Sequence, residues 1–183
     1  MAKRGVPFPM RLLNILLTVF FALLLCEKVY AQSVDERSVK AAYIYNFIRL
    51  TEWPTPLEQP FYLCILGRSS LDNALNKLSG QPVRTDIHIR VINVDIGDDL
   101  SSCNALYFDD SQHRQIDVLM RRLVSSPILT ITDVQGLADR GTMIEMSTQR
   151  NRVVFEVNLG AAQRAEIRIS ARLLKLARHV ATR

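Results

Sequence analysis

Hydrophobic residues recur at helical spacing between residues 34 and 52, and this pattern predicts an amphipathic helix that ends before Trp53-Pro54. Ser33 and Glu36 have the spacing of a capping box at its start. The apolar arc covers close to half of the circumference, whereas docking on one sheet needs an arc of only about 100°. We therefore expect part of this helix to contact the last helix, a second subunit, a ligand or a partner. The residues of the arc are Val39, Tyr43, Ile44, Phe47, Ile48 and Leu50.

Four aromatic residues of this region differ in their expected roles. Tyr43 and Phe47 lie within the arc, so packing in the core is the expected use of both. Tyr45 and Trp53 lie outside it. Because tyrosine and tryptophan combine a large contact area with a polar group, we predict that surplus aromatic surface takes part in an interface. Tyr43, Tyr45 and Trp53 are the candidate partner-binding residues of this region.

After this helix, short apolar runs alternate with helical patterns. Such alternation indicates a largely parallel sheet with helices on its faces. The predicted strands are Phe61–Leu66, Ile87–Val94, Ala105–Phe108 and 127–132, and the predicted helices are 70–79 and 112–124.

The last third of the chain follows a different pattern. Two strand-like runs, 142–147 and 152–157, are separated by residues that are typical of a turn, which predicts an antiparallel hairpin. The remaining predicted elements are a short helix at 158–164, an extended segment at 166–169 and a last helix at 171–180, capped by Ser170 and facing the core with Leu173, Leu174, Leu176 and Ala177.

We predict a single α/β domain with a mostly parallel sheet flanked by helices and an antiparallel hairpin at its edge. Gly67 follows the first buried strand, at the place where a dinucleotide-binding loop would lie. Its loop contains no second or third glycine, and the phosphate-binding fingerprint requires all three. The expected fold is therefore Rossmann-like without a nucleotide fingerprint.

Residues 1–31 have the parts of a secretory signal peptide. Lys3, Arg4 and Arg11 form a basic start, residues 12–25 are mostly apolar, and Ala31 is a small residue at the predicted cut. Because spanning a bilayer takes about 20 apolar residues, cleavage is favoured over an uncleaved anchor. The predicted mature domain is 32–183.

The charge of the predicted mature domain is small. The chain carries a formal net charge of +5, of which the leader contributes +3 through four basic residues and one acidic residue, so that 32–183 keep only +2. This balance gives no reason to expect nucleic acid as a partner.

Two cysteines, Cys64 and Cys103, remain after the predicted cut, each at an edge of an apolar run. In an exported domain such a pair favours a disulfide, and two buried free thiols are the alternative.

The sequence contains no constellation that supports catalysis. His88, His113 and His179 are far apart and have no neighbour at metal-ligand spacing. Asp109 and Asp133 end predicted strands, where α/β folds place functional groups, but capping of the next helix is the favoured role. We therefore predict no catalytic residue, no metal site and no cofactor. A binding or regulatory protein is the expected class.

Four stretches of the chain resemble the YfiR-like family of periplasmic proteins. They are VKAAYIYNFIRLTEWP, FYLCILG, SCNALYF and RVVFEVNLGAAQRAEIRISARLLKLARHV. The resemblance implies a periplasmic α/β domain, often dimeric, that represses an inner-membrane diguanylate cyclase by binding its periplasmic region. It also implies that an OmpA-like outer-membrane lipoprotein relieves this repression. Cellular cyclic di-GMP and biofilm formation are then the controlled outputs, and the protein is not an enzyme.

The resemblance also carries expectations for single residues. Cys64 and Cys103 match the first cysteine pair of the family, which supports the disulfide, whereas a second pair found in some members is missing here. Family members usually have glycine at the position of Glu166 and often two glycines at 140–142, so the local loop shape is in doubt there. The residues of the matching motifs with an expected structural role are Phe47, Phe155, Ser170, Leu173, Leu174 and Leu176.

Glu156, Asn158 and Arg168 belong to the most specific matching stretch. They are candidate partner contacts or structural hydrogen-bonding residues, and the structural role is favoured because Asn158 stands where a helix cap belongs. As an alternative to the repressor function, the domain is a periplasmic small-molecule sensor with a pocket near Asp109 and Asp133, or an adaptor for another membrane protein.

Overall fold

The computed structural model describes residues 35–112 and 115–182 of the 183-residue chain. The predicted leader, the capping residue Ser33 and His113 lie outside the described residues. The described residues belong to one compact unit.

The described elements follow the predicted alternation. The helices are α1 (Glu36–Arg49), α2 (Asp72–Asn76), α3 (Ile116–Leu123), α4 (Leu159–Arg164) and α5 (Ala171–Leu174), with a 3-10 turn at Asp110–Gln112. The strands are β1 (Thr51–Glu52), β2 (Phe61–Leu66), β3 (Pro82–Arg84), β4 (Ile87–Val94), β5 (Ala105–Phe108), β6 (Leu129–Thr132), β7 (Ile144–Gln149), β8 (Arg152–Asn158), β9 (Arg168–Ile169) and β10 (His179–Ala181).

Eight strands form one mixed sheet in the order β3-β4-β2-β5-β6-β7-β8-β10. The five strands from β4 to β7 in this order are parallel, and β3 and β8 each pair antiparallel with their inner neighbours. A separate antiparallel pair joins β1 to β9. The predicted fold class is confirmed: the domain is α/β with a mostly parallel sheet, flanking helices and an antiparallel hairpin.

Both faces of the sheet are buried. Successive side chains of a strand point to opposite faces, so the residues of β2 divide between two cores. Leu63 and Ile65 of β2 belong to a core with α1, α2, α4 and α5, whereas Cys64 and Leu66 belong to a core with α3. All four side chains are fully buried. The near-continuous apolar run in β2 thus reflects a strand with helices on both sides.

The first helix is shorter than predicted at both ends. Asp35 is its N-cap, with a side chain that accepts a hydrogen bond from the Arg37 amide. At the other end, Thr51 turns away into β1, and its hydroxyl donates to the Phe47 carbonyl at 2.7 Å. The β1 residues form backbone hydrogen bonds with β9. These bonds stabilise the chain more than one further helical turn before Pro54 would.

The predicted last helix at 171–180 is wrong beyond its first turn. Ser170 Oγ accepts from the Leu173 amide at 3.2 Å and caps α5, which ends at Leu174. His179–Ala181 instead form β10, parallel to β8. Leu173 is buried and Leu174 half-buried, but Leu176 is 66% exposed and does not face the core as predicted. Edge pairing with β8 provides backbone hydrogen bonds that the apolar spacing does not reveal.

The remaining helix predictions and the hairpin prediction hold with shifted bounds. The hairpin between β7 and β8 has a two-residue turn, Arg150-Asn151, in which both residues have positive φ, 48° and 60°. Such a turn matches the twist of the two strands. The predicted four-residue turn was therefore too long.

Glu166 occupies a position where the family resemblance leads us to expect glycine. Its φ is 58°, in the left-handed region. The Glu166 amide donates to the Gln163 carbonyl at 3.0 Å, and the Ile167 amide donates to the Ala162 carbonyl at 2.9 Å. These two bonds end α4 in a Schellman motif, whose C′ position favours glycine. The glycine expected there would fit this geometry without strain.

The disulfide between Cys64 and Cys103 joins β2 to the residue that leads into β5. The two Cα atoms are 5.9 Å apart, and 39 positions separate the cysteines in the sequence. Cys64 is fully buried and Cys103 is 3% exposed. The bond therefore joins the middle of β2 to the residues just before β5, within the core that contains α3.

We predict that Glu166→Gly stabilises the domain by about 1 kcal/mol, because it removes the steric cost of a side chain at positive φ. Thermal unfolding should shift upward by about 2–4 °C for a domain of this size. Glu166→Ala is the control, since it removes the charge but keeps a Cβ atom. Equal melting temperatures for the glycine and alanine variants would show that backbone strain is not the cause.

We predict that loss of the disulfide lowers the free energy of unfolding by about 4 kcal/mol, because a loop of this length no longer restricts the unfolded chain. Urea unfolding of the exported domain with and without reductant measures the difference. A Cys64→Ala/Cys103→Ala double variant should respond identically in both conditions. Identical midpoints for oxidised and reduced wild-type protein would contradict the prediction.

Candidate functional site

An open apolar groove runs between α1 and the segment that follows β9. We call it the α1 groove, and its volume is about 470 Å³, within the range of ligand-sized sites. The lining residues are Ser38, Val39, Ala42, Tyr43, Asn46, Phe47, Leu50, Phe155, Arg172, Leu173 and Leu176. Seven of them were named in the sequence analysis: Tyr43, Phe47, Phe155, Leu173 and Leu176 as candidate partner-binding or family-motif residues, and Val39 and Leu50 as members of the apolar arc.

An aromatic cluster forms the floor of the α1 groove. The ring centroids of Phe47 and Phe155 are 4.8 Å apart, and Tyr43 lies 5.9 Å from each of them. All three pairs are tilted, a geometry that aromatic quadrupoles favour. Phe47, Phe155 and Leu173 are buried. The floor is therefore part of the core and is held rigidly.

The rim of the α1 groove remains exposed. Leu176 is 66% exposed, more than any other large hydrophobic residue among 35–112 and 115–182. Tyr43 is half-buried, and within these ranges its hydroxyl makes no hydrogen bond. Because a tyrosine hydroxyl in an apolar setting usually has a partner, Tyr43 offers an unused polar group beside apolar surface.

One buried ionic contact fixes α1 on the sheet. Lys40 Nζ donates to Asp133 Oδ2 at 2.7 Å, and Asp133 Oδ1 accepts from the Tyr107 hydroxyl at 2.9 Å. The Lys40 and Asp133 side chains are only 15% and 13% exposed. Glu36, one turn earlier in α1, adds a second carboxylate 3.1 Å from Lys40. The helix is thereby tied to the carboxyl ends of β5 and β6.

The electrostatics of this contact favour the charged pair. Burial opposes the charge of Lys40, but the hydrogen bond and negative charge of Asp133, helped by Glu36, outweigh it and raise the pKa of Lys40. Burial, with the charge of Asp133, also raises the pKa of the Tyr107 hydroxyl. Both groups hold their protons more tightly in the folded state. Their contribution to stability is therefore complete at neutral pH and is lost as pH rises above the ordinary values of about 10.

A second set of contacts holds the far end of α1. The Arg84 guanidinium donates to the Thr51 carbonyl at 2.9 Å, just beyond the last turn. The Tyr45 hydroxyl donates to the Pro82 carbonyl at 2.9 Å, and the Arg49 guanidinium lies 5.6 Å from the Tyr45 ring centroid. Tyr45 therefore points toward β3, away from the α1 groove, and serves to dock the helix.

Trp53 also lies outside the α1 groove. Its Nε1 donates to the Asn104 carbonyl at 3.0 Å, and its ring packs edge-on against Phe61 with centroids 5.1 Å apart. Asn104 in turn accepts from the Tyr62 amide at 2.8 Å. These contacts fasten the β1–β2 connection to the start of β5, near the disulfide.

The three polar candidates of the C-terminal stretch have partners within the chain. Asn158 is buried, accepts from the Ala161 amide at 2.8 Å as the N-cap of α4, and donates to the Ala138 carbonyl. Glu156 pairs with Arg178. Arg168 pairs with Glu52 at 3.0 Å on an exposed surface. The fold does not bring these residues into the α1 groove.

A second candidate region lies at the carboxyl ends of the parallel strands. From β2 the chain continues to β4 on one side of β2 and then returns to β5 on its other side. The boundary between β2 and β5 is therefore the topological switch point, where α/β folds bind ligands. Asp109 accepts there from the Ser70 and Ser111 amides at 3.2 and 3.0 Å. Burial opposes the charge of Asp109, but hydrogen bonds from the Ser111 and Ser69 side chains, together with these two amides, outweigh burial and lower the pKa of Asp109.

The favoured capping role suits only one of the two aspartates. Asp109 closes a turn with Ser111 at the start of the 3-10 segment. Asp133 makes no helix cap, because Lys40 and Tyr107 occupy its two oxygens. Sequence reasoning missed Lys40, although it stands four and seven residues before the buried Ile44 and Phe47. A lysine on a buried stripe requires an acidic partner, and that requirement was the available signal.

We predict that Lys40→Met lowers the free energy of unfolding by about 2–3 kcal/mol, because Asp133 is left mostly buried without its cation. Arg168→Gln is the matched control, since its exposed pair with Glu52 should contribute less than about 1 kcal/mol. Urea unfolding, followed by the fluorescence of Trp53, measures both. Equal losses for the two variants would show that the Lys40 pair has no special role.

Residues 35–112 and 115–182 contain neither a candidate metal site nor a candidate membrane-spanning helix. No group of three or more His, Cys, Asp or Glu side chains in these ranges could hold a metal ion. None of the helices within the same ranges has the length and apolar character needed to cross a membrane.

Of the comparisons with known proteins, the match to a family model agrees with the four stretches quoted above. One solved structure, the ABC domain in complex with L-Trp from Streptococcus pneumonia, is 12% identical with a TM-score of 0.46, over 66% of this chain and 55% of that one. The chain thus spans about half the length of that protein. A family model described as YfiR/HmsC-like matches residues 37–178. Since this match covers most of the chain, the protein belongs to the YfiR/HmsC-like family.

Proposed function

We propose that this protein is a periplasmic regulator that represses an inner-membrane diguanylate cyclase by binding the periplasmic region of that enzyme. Repression would lower cyclic di-GMP and biofilm formation. Membership of the YfiR/HmsC-like family supports a regulatory role. The buried Cys64–Cys103 disulfide suits an oxidising compartment.

The α1 groove is the observation that carries this proposal. It combines a rigid aromatic floor with an exposed apolar rim at Leu176. Exposed apolar surface that is continuous with a concave site is typical of protein-binding sites. Aromatic side chains such as Tyr43 are enriched at the centres of interfaces. The α1 groove would accept one or two apolar side chains of the cyclase.

The charge at the rim restricts the occupant. Arg172 is the charged residue that lines the α1 groove, and it is exposed. Among the residues that the structure describes, Arg172 makes no ion pair. We therefore assign the α1 groove to a cyclase segment with an apolar anchor and a nearby carboxylate. An OmpA-like outer-membrane lipoprotein would relieve repression by occupying the same groove, and a second copy of this chain is the competing occupant.

The alternative of a small-molecule site at the strand ends has weaker support. Asp133 is already bound by Lys40 and Tyr107, and Asp109 by backbone amides. A ligand there would have to displace these partners. An adaptor for another membrane protein would use the α1 groove in the same way, and only the cellular output distinguishes it from the repressor.

We predict that deletion of the gene raises cellular cyclic di-GMP and that the exported wild-type protein restores the low level. Leu176→Asp should fail to restore it, because a carboxylate at the rim opposes apolar docking and repels the acidic partner. Val118→Asp is the matched control, since Val118 is 51% exposed on α3, outside the α1 groove. Both variants are expected to fold, and circular dichroism of the purified domains checks this.

The outcomes separate the readings. Restoration by Leu176→Asp would remove the α1 groove from the mechanism. No change on deletion would remove the cyclase and favour the adaptor or sensor role. A version without residues 1–31 should not restore repression if the site of action is the periplasm. Sedimentation of the wild type and of Leu176→Asp tests whether a second copy of this chain occupies the α1 groove. If it does, the wild type is a dimer and the substitution dissociates it.

A further inference from the structure

A separate pocket lies between α3 and α4. We call it the α3–α4 pocket, and its volume is about 310 Å³, at the lower end of small-ligand sites. Its lining combines apolar floor residues with charged rim residues. These residues are Asp117, Met120, Arg121, Leu123, Val124, Thr130, Arg140, Gly141, Met143, Ala161 and Arg164.

Three different segments each place one arginine at this pocket. Arg121 comes from α3, Arg140 from the loop before β7, and Arg164 from the last turn of α4. Asp117 is the acidic residue of the lining. Three guanidinium groups thus face one carboxylate, and the pocket keeps two positive charges in excess.

The excess charge is not used by the fold. Arg140 pairs with Asp117. Within residues 35–112 and 115–182, neither Arg121 nor Arg164 makes an ion pair or side-chain hydrogen bond. Arg122, next to Arg121, shows the contrast, because it donates to the Ile96 and Asp98 carbonyls at 2.6 and 3.1 Å. Arg122 is structural, whereas Arg121 and Arg164 are free to bind a ligand.

The floor offers apolar contact and one hydroxyl. Met120, Leu123 and Met143 are 7%, 7% and 2% exposed. Thr130 is 2% exposed, and its Oγ1 accepts from the Met143 amide at 3.0 Å. Across the residues that the structure covers, the Thr130 hydroxyl donates to no acceptor. It can therefore donate a hydrogen bond into the pocket.

We propose that the α3–α4 pocket binds a small organic anion, a phosphate or carboxylate on a compact apolar body. The anionic group would lie between Arg121 and Arg164, where each guanidinium can donate two parallel hydrogen bonds. The apolar body would pack on the methionines, and the Thr130 hydroxyl would donate to the ligand. The proposal does not depend on the α1 groove, because the two sites share no lining residue.

The test is isothermal titration of the exported domain with phenyl phosphate at low ionic strength, with benzyl alcohol as the uncharged ligand. Saturable binding of phenyl phosphate and none of benzyl alcohol is expected. Arg121→Gln and Arg164→Gln should each weaken binding about tenfold or more, since each removes charge-assisted hydrogen bonds. Asp117→Asn should tighten binding, because it frees Arg140 and removes the repelling carboxylate.

The matched control is Arg90→Gln, which removes an exposed arginine of β4 that does not line the pocket. It should leave binding unchanged. Equal affinity in all variants, or no saturation with 10 mM phenyl phosphate, would overturn the proposal. Vesicles of phosphatidylglycerol, compared with phosphatidylcholine, form a second arm. Binding to anionic vesicles alone, lost in Arg121→Gln and Arg164→Gln, would support the anion site and assign the anion to a lipid headgroup.

Discussion

The contact between Lys40 and Asp133 constrains the rotation of α1, and the shape of the α1 groove depends on that rotation. Apolar burial alone is non-directional, and the broad apolar arc of α1 could pack on the sheet in several rotations. The ion pair favours one of them, because Lys40 must reach Asp133 at the end of β6, where the Tyr107 hydroxyl also binds this carboxylate. In that rotation Phe47 faces Phe155, Tyr43 lies at their side, and the surplus apolar surface lines the open groove.

Local sequence patterns predicted many of the strands and helices, whereas the remaining elements depend on contacts between residues distant in the sequence. The strands β2, β4 and β5 were predictable because short apolar runs bounded by turn residues are typical of buried strands. The segment from Leu174 to His179 was not, because helical spacing in so short a stretch competes with an edge strand that exists only through pairing with β8. The contact of Lys40 with Asp133 joins residues 93 positions apart, so no local pattern could reveal it. The only sign in the sequence of the positive φ of Glu166 was the glycine that the family resemblance leads us to expect at this position.

The candidate site shows the same division. Tyr43, Phe155 and Leu176 were each noted in the sequence, but only the fold places them around one groove. Tyr45 and Trp53 have the composition expected of an interface, yet both use their polar groups to fasten the chain to Pro82 and Asn104. A polar handle on an aromatic ring is therefore no evidence of an interface until its partner is known. Within the described ranges, the Tyr43 hydroxyl is left without such a partner.

The α1 groove and the α3–α4 pocket share no lining residue and can be occupied together. They are linked through one continuous segment, because Phe155 of β8 lines the α1 groove, Asn158 caps α4, and Ala161 and Arg164 of α4 line the pocket. Any influence of a bound anion on the protein partner must pass through this segment or through the sheet beneath it. Because such coupling is reciprocal, the partner would change the affinity for the anion by the same factor. Asn158, which is buried and hydrogen-bonded to both Ala138 and Ala161, is the contact that joins β8 to α4.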